Sequence, residues 1–458
     1  MNTLIYTAVL GLLCMVAEIA NLRKIILPMA VLGLAFIFGI NLYDWNQSEA
    51  FYNNMLQVNN FSVAFTGVVI FITLIIIILS GEYFGSDEKN ISDYIAIITF
   101  VLCGSIMMFS FNNLALLFIG IETLSIGLYA LAGSKRFDVR SNESGFKYFL
   151  MGAFMSCILL FGIALVFGST GSFNVNDIAD YTMKNVGGWD GKFKIGLSLI
   201  AFAMLFKVSA APFHFWAPDV YEGAPPLITA FMSTLVKVAA FGAFYKLFSV
   251  AFGFANQQYA LIIQVSAVIT LLIGNLTALI QQNFKRLLAF SGISHAGYML
   301  LLILSIPANP TGALLYYGLV YSISTLAAFA VAFTIFKQAD SEDINAFNGL
   351  AKKNPVLSAG LTMAMLGLAG IPPFAGFIAK YYIFTYSVQN GYFYLTLLAI
   401  ITSIIGVYYY FKVIIAMYGK PATEVNFQSN STYNLVLWLC IAVSLILGVH
   451  PSLITHLL

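Results

Sequence analysis

The chain has 458 residues and only 21 Lys or Arg and 19 Asp or Glu, so 9% are charged, against the roughly 25% of an ordinary soluble chain. With 60% hydrophobic residues, 15% aromatic residues and a mean hydropathy of +0.90, a soluble fold could not cover its surface, and a net charge of +2 leaves no basic stripe for nucleic acid. The class that remains is an all-α polytopic membrane protein, with room for up to about 14 or 15 spans at about 20 apolar residues each.

The N-terminus, MNTLIYTAVLGLLCMVAEIA, has no basic n-region and reads as a first span, not a cleaved signal. Apolar runs separated by polar or Gly/Pro breaks predict fourteen helices, near 2–20, 25–43, 61–80, 91–109, 112–133, 146–168, 194–220, 225–249, 258–281, 285–305, 311–337, 356–384, 391–418 and 433–450. Only the connection 169–193 is long. Cys14, Cys103, Cys157 and Cys440 each lie in an apolar run, read as small packing residues, and show no metal-ligand spacing.

Several residues along these spans are out of place. Glu122 falls about ten residues into the fifth. Glu143 and Lys147 stand four apart at the start of the sixth, a spacing that also fits a surface ion pair. The seventh, IGLSLIAFAMLFKVSAAPF and onward, carries Lys207, then Pro212, His214, Asp219 and Glu222; these last two acids suit a proton-gathering mouth or a solvated helix end. Lys237 is mid-way along the eighth, His295 along the tenth, and Lys380 follows Pro372 and Pro373 in the twelfth, AGIPPFAGFIAKYYIF. His450 and His456 read as incidental.

A charge at the bilayer centre costs at least about 2.5–3.5 kcal/mol, which packing alone does not justify three times over. A glutamate near a buried lysine stabilises its ammonium, and parting the two lets the proton leave, so Glu122 with a buried lysine reads as a proton switch. His295 can relay a proton near neutral pH. Non-helical backbone at membrane depth survives only inside protein or beside a cavity. Breaks in the seventh and twelfth spans therefore suggest an inverted repeat. Its units are five-helix sets at 91–249 and 258–418, after three helices in 1–90 and before a last one at 433–450, all in one membrane domain.

With both termini outside, fourteen of the 21 basic residues lie inward, among them Lys89, Lys285, Arg286 and Lys412. Lys184, Lys192, Lys194 and Lys246 lie outward, and Lys207, Lys237 and Lys380 are mid-span.

FKVSAAPFHFWAPDVYEGAPPLITAFMSTLVKVAAF (206–241), FNNLALLFIGIETLSIGLYAL, KRLLAFSGISHAGYM and GIPPFAGFIAKYYIF together resemble the antiporter-like subunits of proton-pumping NADH–quinone oxidoreductase, respiratory complex I. Within that family the chain is most similar to the N-type subunits. KYFLMGAF at 147–154 fits them, Lys380 replaces the glutamate expected of an M-type subunit, and no long lateral helix of the L type follows span fourteen. The resemblance implies that Glu122 and Lys207 form an ion-paired switch, that Lys237 is the central relay, that Lys380 faces the outward exit, and that His295 belongs to the polar axis between them. Glu143 and Lys147 match charged family positions, and His214, Asp219 and Glu222 are secondary candidates. It also implies no cofactor or metal in this chain, with NADH, FMN, iron–sulfur clusters and quinone in partner subunits. The partners are other membrane-arm subunits, another antiporter-like one included, in a bacterial inner membrane. The rival readings are a subunit of a multisubunit cation/proton antiporter and a stand-alone transporter of a small solute.

Overall fold

The computed structural model describes residues 1–85, 91–421 and 427–458, so Lys89 lies outside the described residues. The paired helices α1 (Asn2–Ile19) and α2 (Arg23–Tyr43) lead into a small antiparallel hairpin, β1 (Glu49–Phe51) with β2 (Leu56–Val58). There follow α3 (Asn60–Phe84), α4 (Ile91–Ser110), α5 (Leu114–Ala132) and α6 (Val139–Thr170), then a short α7 (Val175–Lys184) inside the long connection. The seventh span is α8 (Gly191–Lys207) and α9 (Trp216–Gly223). The eighth is α10 (Pro226–Phe231), a π-turn at Met232–Val236, α11 (Lys237–Lys246) and a second π-turn at Leu247–Ala251. After α12 (Asn256–Ile280), α13 (Phe284–Leu304), α14 (Thr311–Ala339) and the short α15 (Leu350–Lys353), the twelfth span is α16 (Pro355–Ala369) and α17 (Ala375–Gln389). The chain closes with α18 (Phe393–Gly419), α19 (Ser431–Val449) and α20 (Ser452–Thr455).

Among the described residues twelve helices are long and apolar enough to cross a membrane, and the two split helices supply the seventh and twelfth crossings. Asparagine and aspartate side chains fix many of the starts by accepting backbone N–H groups that have no partner within the helix. Asn59, Asn113, Asp138, Asn174, Asp190, Asn283, Asn354 and Asn430 all do so. Asp190, outside the spans, is held below the usual carboxylate range, first by the Phe193 N–H. The Asp138 cap starts α6 about two turns before the expected residue 146, because the helix continues past its apolar run into charged sequence.

Burial ranks the layers. The α10–α11 span, α13 and α14 are buried along their whole apolar windows, whereas α1, α2, α6, α12 and α18 bury only about a third of theirs and face outward. The packing of spans four to eight is repeated in spans nine to thirteen. Within them α6 packs on α8 as α14 packs on α16, and α4 on α5 as α12 on α13.

The two breaks are built alike. After α8, Ser209 takes φ +61°; after α16, Gly370 takes φ +79°. A left-handed residue ends a helix, bonding back to some of its last carbonyls and leaving the final ones open to other donors. A Cβ on Gly370 would stand 2.9 Å from Lys380 Cδ and add strain at this positive φ, so glycine suits this turn. Gly376 is constrained the other way: its missing Cβ makes room for the Gly367 carbonyl, where α17 crosses α16. The first break is stitched to α12, with Ala211 N–H donating to Thr270 Oγ1 at 2.8 Å and Ser266 Oγ donating to Ala211 O at 2.6 Å.

Candidate functional site

Lys207, Lys237 and Lys380 are 7%, 3% and 7% exposed. The acceptors around them show how three ammoniums are tolerated. Lys207 ends α8, and its Nζ donates to Ser125 Oγ on α5 at 2.7 Å. Lys237 opens α11 directly after the π-turn and donates to Gly292 O on α13 at 2.6 Å and to Val208 O, the carbonyl beyond Lys207, at 3.2 Å. Lys380 donates to Ala369 O at 2.7 Å and Ser403 Oγ at 2.9 Å, and lies 5.3 Å over the Tyr298 ring. Val208 and Ala369 are the carbonyls released at the two breaks, at helix C-termini where the dipole favours a cation. Each charge-assisted bond is worth about 1.5–3 kcal/mol, so the two on Lys237 and the two on Lys380 match the insertion cost of the charge, and the one on Lys207 offsets part of it.

Glu122 lies one turn before Ser125 on α5, but it does not pair directly with Lys207. Its carboxylate takes the Ser156 hydroxyl of α6, while the ammonium takes Ser125. The direct ion pair implied by the resemblance is thus replaced by a serine step, because α5 and α6 each offer a hydroxyl at that depth.

His295 is 4% exposed and has both ring nitrogens on tyrosine hydroxyls, Nδ1 with Tyr317 at 2.6 Å and Nε2 with Tyr410 at 3.0 Å. Tyr410 in turn meets Ser291 Oγ at 2.5 Å, one residue before the Gly292 carbonyl that holds Lys237. A small cavity lined by His295, Tyr317, Tyr321, Ser324 and Lys380 spans the remaining gap. The order along the bundle is therefore Glu122, Lys207, Lys237, His295, Lys380.

The end of the bundle carrying the 134–138 and 338–343 connections holds a charge ladder. Lys147 meets Glu143 at 2.6 Å and Asp219 at 3.0 Å; Arg286 meets Asp219 at 2.9 Å and Glu222 at 2.8 Å. Asp219 and Glu222 are thus paired acids, and Glu143–Lys147 is more than a lone surface pair. The ladder borders a cavity lined by Arg140, Glu143, Ser144, Lys147, Asp219, Glu222 and Gly223. His214 is buried in the break against Phe215.

The sequence reading placed Arg286 and Lys285 at the inward end of the tenth span, Lys246 on the outward side and Lys412 inside the thirteenth span, snorkelling inward. Lys285 is 2% exposed, paired with Glu342 at 2.7 Å and donating to Ala224 O. Lys246 is 6% exposed, donating to Phe109 O at 2.8 Å over the Phe111 ring, and so is a buried charge. Lys412 donates to Gln281 O at 2.6 Å. A signal for the first two was present: a Lys–Arg pair in the first turn of α13 stands at the wrong end of the helix dipole and requires acidic partners. Among the described residues no group of three His, Cys, Asp or Glu is placed to hold a metal.

The family model described as NADH:quinone oxidoreductase/Mrp antiporter, TM, matches residues 111–406, which contain all five members of the buried line. The chain belongs to this antiporter-like family. Within the family it is 45% identical to NADH-quinone oxidoreductase subunit N of Flavobacterium psychrophilum, over 100% of both chains. A chain of respiratory complex I from Thermus thermophilus, solved with bound aureothin, superposes with a TM-score of 0.83 at 30% identity, over 99% of this chain and 98% of that one. A chain of the Mrp complex from Dietzia sp. DQ12-45-1b gives 0.89 at 20% identity, over 99% and 95%, a likeness of fold. In family terms the chain is of the subunit N type and a multi-pass membrane protein.

Proposed function

We propose that the chain is a proton-translocating membrane-arm subunit of NADH–quinone oxidoreductase, coupling electron transfer in partner subunits to proton movement across a bacterial inner membrane. The observation that carries this is the buried line Glu122–Lys207–Lys237–His295–Lys380, which links the broken helices of the two repeats. NADH, FMN, iron–sulfur clusters and quinone belong to the partners, among them another antiporter-like subunit. The full-length likeness to subunit N favours this over a cation/proton antiporter subunit, because the Mrp likeness is one of fold.

In this reading Glu122 and Lys207 are the switch, held apart here by Ser125 and Ser156. A carboxylate brought to the ammonium fixes its proton. A carboxylate drawn away, or neutralised by a neighbouring subunit, lets the proton pass to Lys237. From there the Ser291–Tyr410–His295–Tyr317 chain reaches the cavity before Lys380. Each charge carried across a potential of 100 mV stores about 2.3 kcal/mol. In mild detergent the chain should migrate in a very large assembly that oxidises NADH, and vesicles holding that assembly should move protons on NADH addition. A chain that runs alone would sink the reading.

In the same reading the ladder end faces the cytoplasm and both termini lie outside, which the excess of basic residues at the ladder end supports. Single cysteines at Asn142, Asn185 and Asn345, all exposed, in a background with Cys157 replaced by serine, test this with an impermeant thiol reagent on intact cells. Labelling is expected at 185 alone; labelling at 142 or 345 instead would reverse the direction of the path.

A further inference from the structure

Between the charge ladder and the Lys207 ammonium stands a wall of aromatic rings. Trp216 opens α9 one turn before Asp219. Its indole stacks on Tyr148, the residue after Lys147, with centroids 4.6 Å apart and planes at 7°. It also meets Phe206, the residue before Lys207, at 5.5 Å. Tyr129, one turn beyond Ser125 on α5, closes the wall edge-on against Tyr148 at 4.8 Å. Each neighbour in sequence thus belongs to the ladder on one side or to the switch on the other. Trp216 and Tyr148 are each 3% exposed and Phe206 2%. The mouth cavity reaches Lys147, Asp219 and Gly223 and has none of these rings in its lining.

A proton needs a chain of hydrogen bonds or water, and stacked ring faces offer neither. The Trp216 N–H is already engaged, donating to Phe206 O at 3.2 Å. Apolar constrictions of this kind gate channels by excluding water. We propose that Trp216 and Tyr148 form a gate, closed in this structure, that controls when Lys207 takes a proton from the ladder side. The inference rests on the proton-translocating reading of the same site. Its handle is α9, an eight-residue helix whose inner end is held to α6 and α13 through Lys147–Asp219 and Arg286–Glu222. Displacing α9 against those ion pairs unstacks Trp216 from Tyr148.

The test is passive proton flux through the intact complex in liposomes, without NADH, under an imposed pH step with the membrane potential clamped by potassium and valinomycin. Trp216→Ala should conduct about tenfold faster than the wild type, the change expected from removing about 1.4 kcal/mol of barrier, whereas Trp216→Phe, which keeps a ring face, should stay within about twofold. Tyr148→Leu removes the opposite ring and should leak in the same way, which decides the matter if Trp216→Ala fails to assemble. Adding Lys207→Met to either leaking variant should return the flux to the wild-type level, because the route passes through that ammonium. Tight vesicles with both ring variants, or a leak that survives Lys207→Met, would overturn the gate. Wild-type vesicles that move no protons on NADH addition would instead overturn the reading on which it rests, so the two failures are separable.

Discussion

Replacing Lys237 with methionine is expected to lower NADH-driven proton uptake at least about tenfold, the loss from raising a barrier by about 1.4 kcal/mol, while the complex still assembles. Lys237 is where the two repeats meet. Its ammonium bonds Val208 O in the first break and Gly292 O on α13 in the second repeat. Methionine fills nearly the same volume without the charge. It leaves two carbonyls without this donor but also removes the desolvation cost of a buried cation, so the net change in stability is small. The loss should therefore appear in proton transfer rather than in the amount of complex. Native gels of the variant membranes check assembly, and a pH-sensitive dye checks uptake. Lys237→Ala, which opens a hole as well, should reduce both.

Glu122→Gln is expected to have the second-largest effect, cutting uptake about tenfold, the scale of removing one opposite charge from beside a buried ammonium. Glutamine matches the carboxylate in shape and still accepts from the Ser156 hydroxyl, so the contact between α5 and α6 survives. What it cannot do is change charge. Glu122→Asp keeps the charge on a shorter arm and should retain more activity than the glutamine variant. Equal uptake by glutamine and wild-type vesicles would remove Glu122 from the switch.

The features legible in the sequence were those whose cost is local. A lysine in the middle of LIAFAMLFKVSAAPF or FIAKYYIF is out of place whatever surrounds it, and prolines at 212, 372 and 373 mark breaks on their own. The start of α6 and the hairpin at 49–58 escaped because caps and three-residue strands leave little periodicity. What the sequence did not disclose was which residues meet. Ser125, Ser156, Tyr317 and Tyr410 lie in apolar helices where hydroxyls are common, and only the packing of α5 on α6 and of α13 on α14 and α18 makes them partners. Arg286 was visible as a charge, but its bonds to Asp219 and Glu222 cross from the second repeat to the first. Lys246 was counted on the outward side, and AFGAFYKLFSVAF does not show that it is buried there, because its partner, Phe109 O, is supplied by α4.

The central claim is that protons cross through the buried lysines, and the rate of proton uptake per assembled complex in Lys237→Met vesicles tests it most directly. NADH and a quinone are added to sealed vesicles, NADH absorbance and an entrapped pH dye are followed together, and the rates are normalised to complex content. If protons cross through Lys237, uptake falls at least about tenfold below the wild type. A wild-type rate from fully assembled Lys237→Met complex would contradict it.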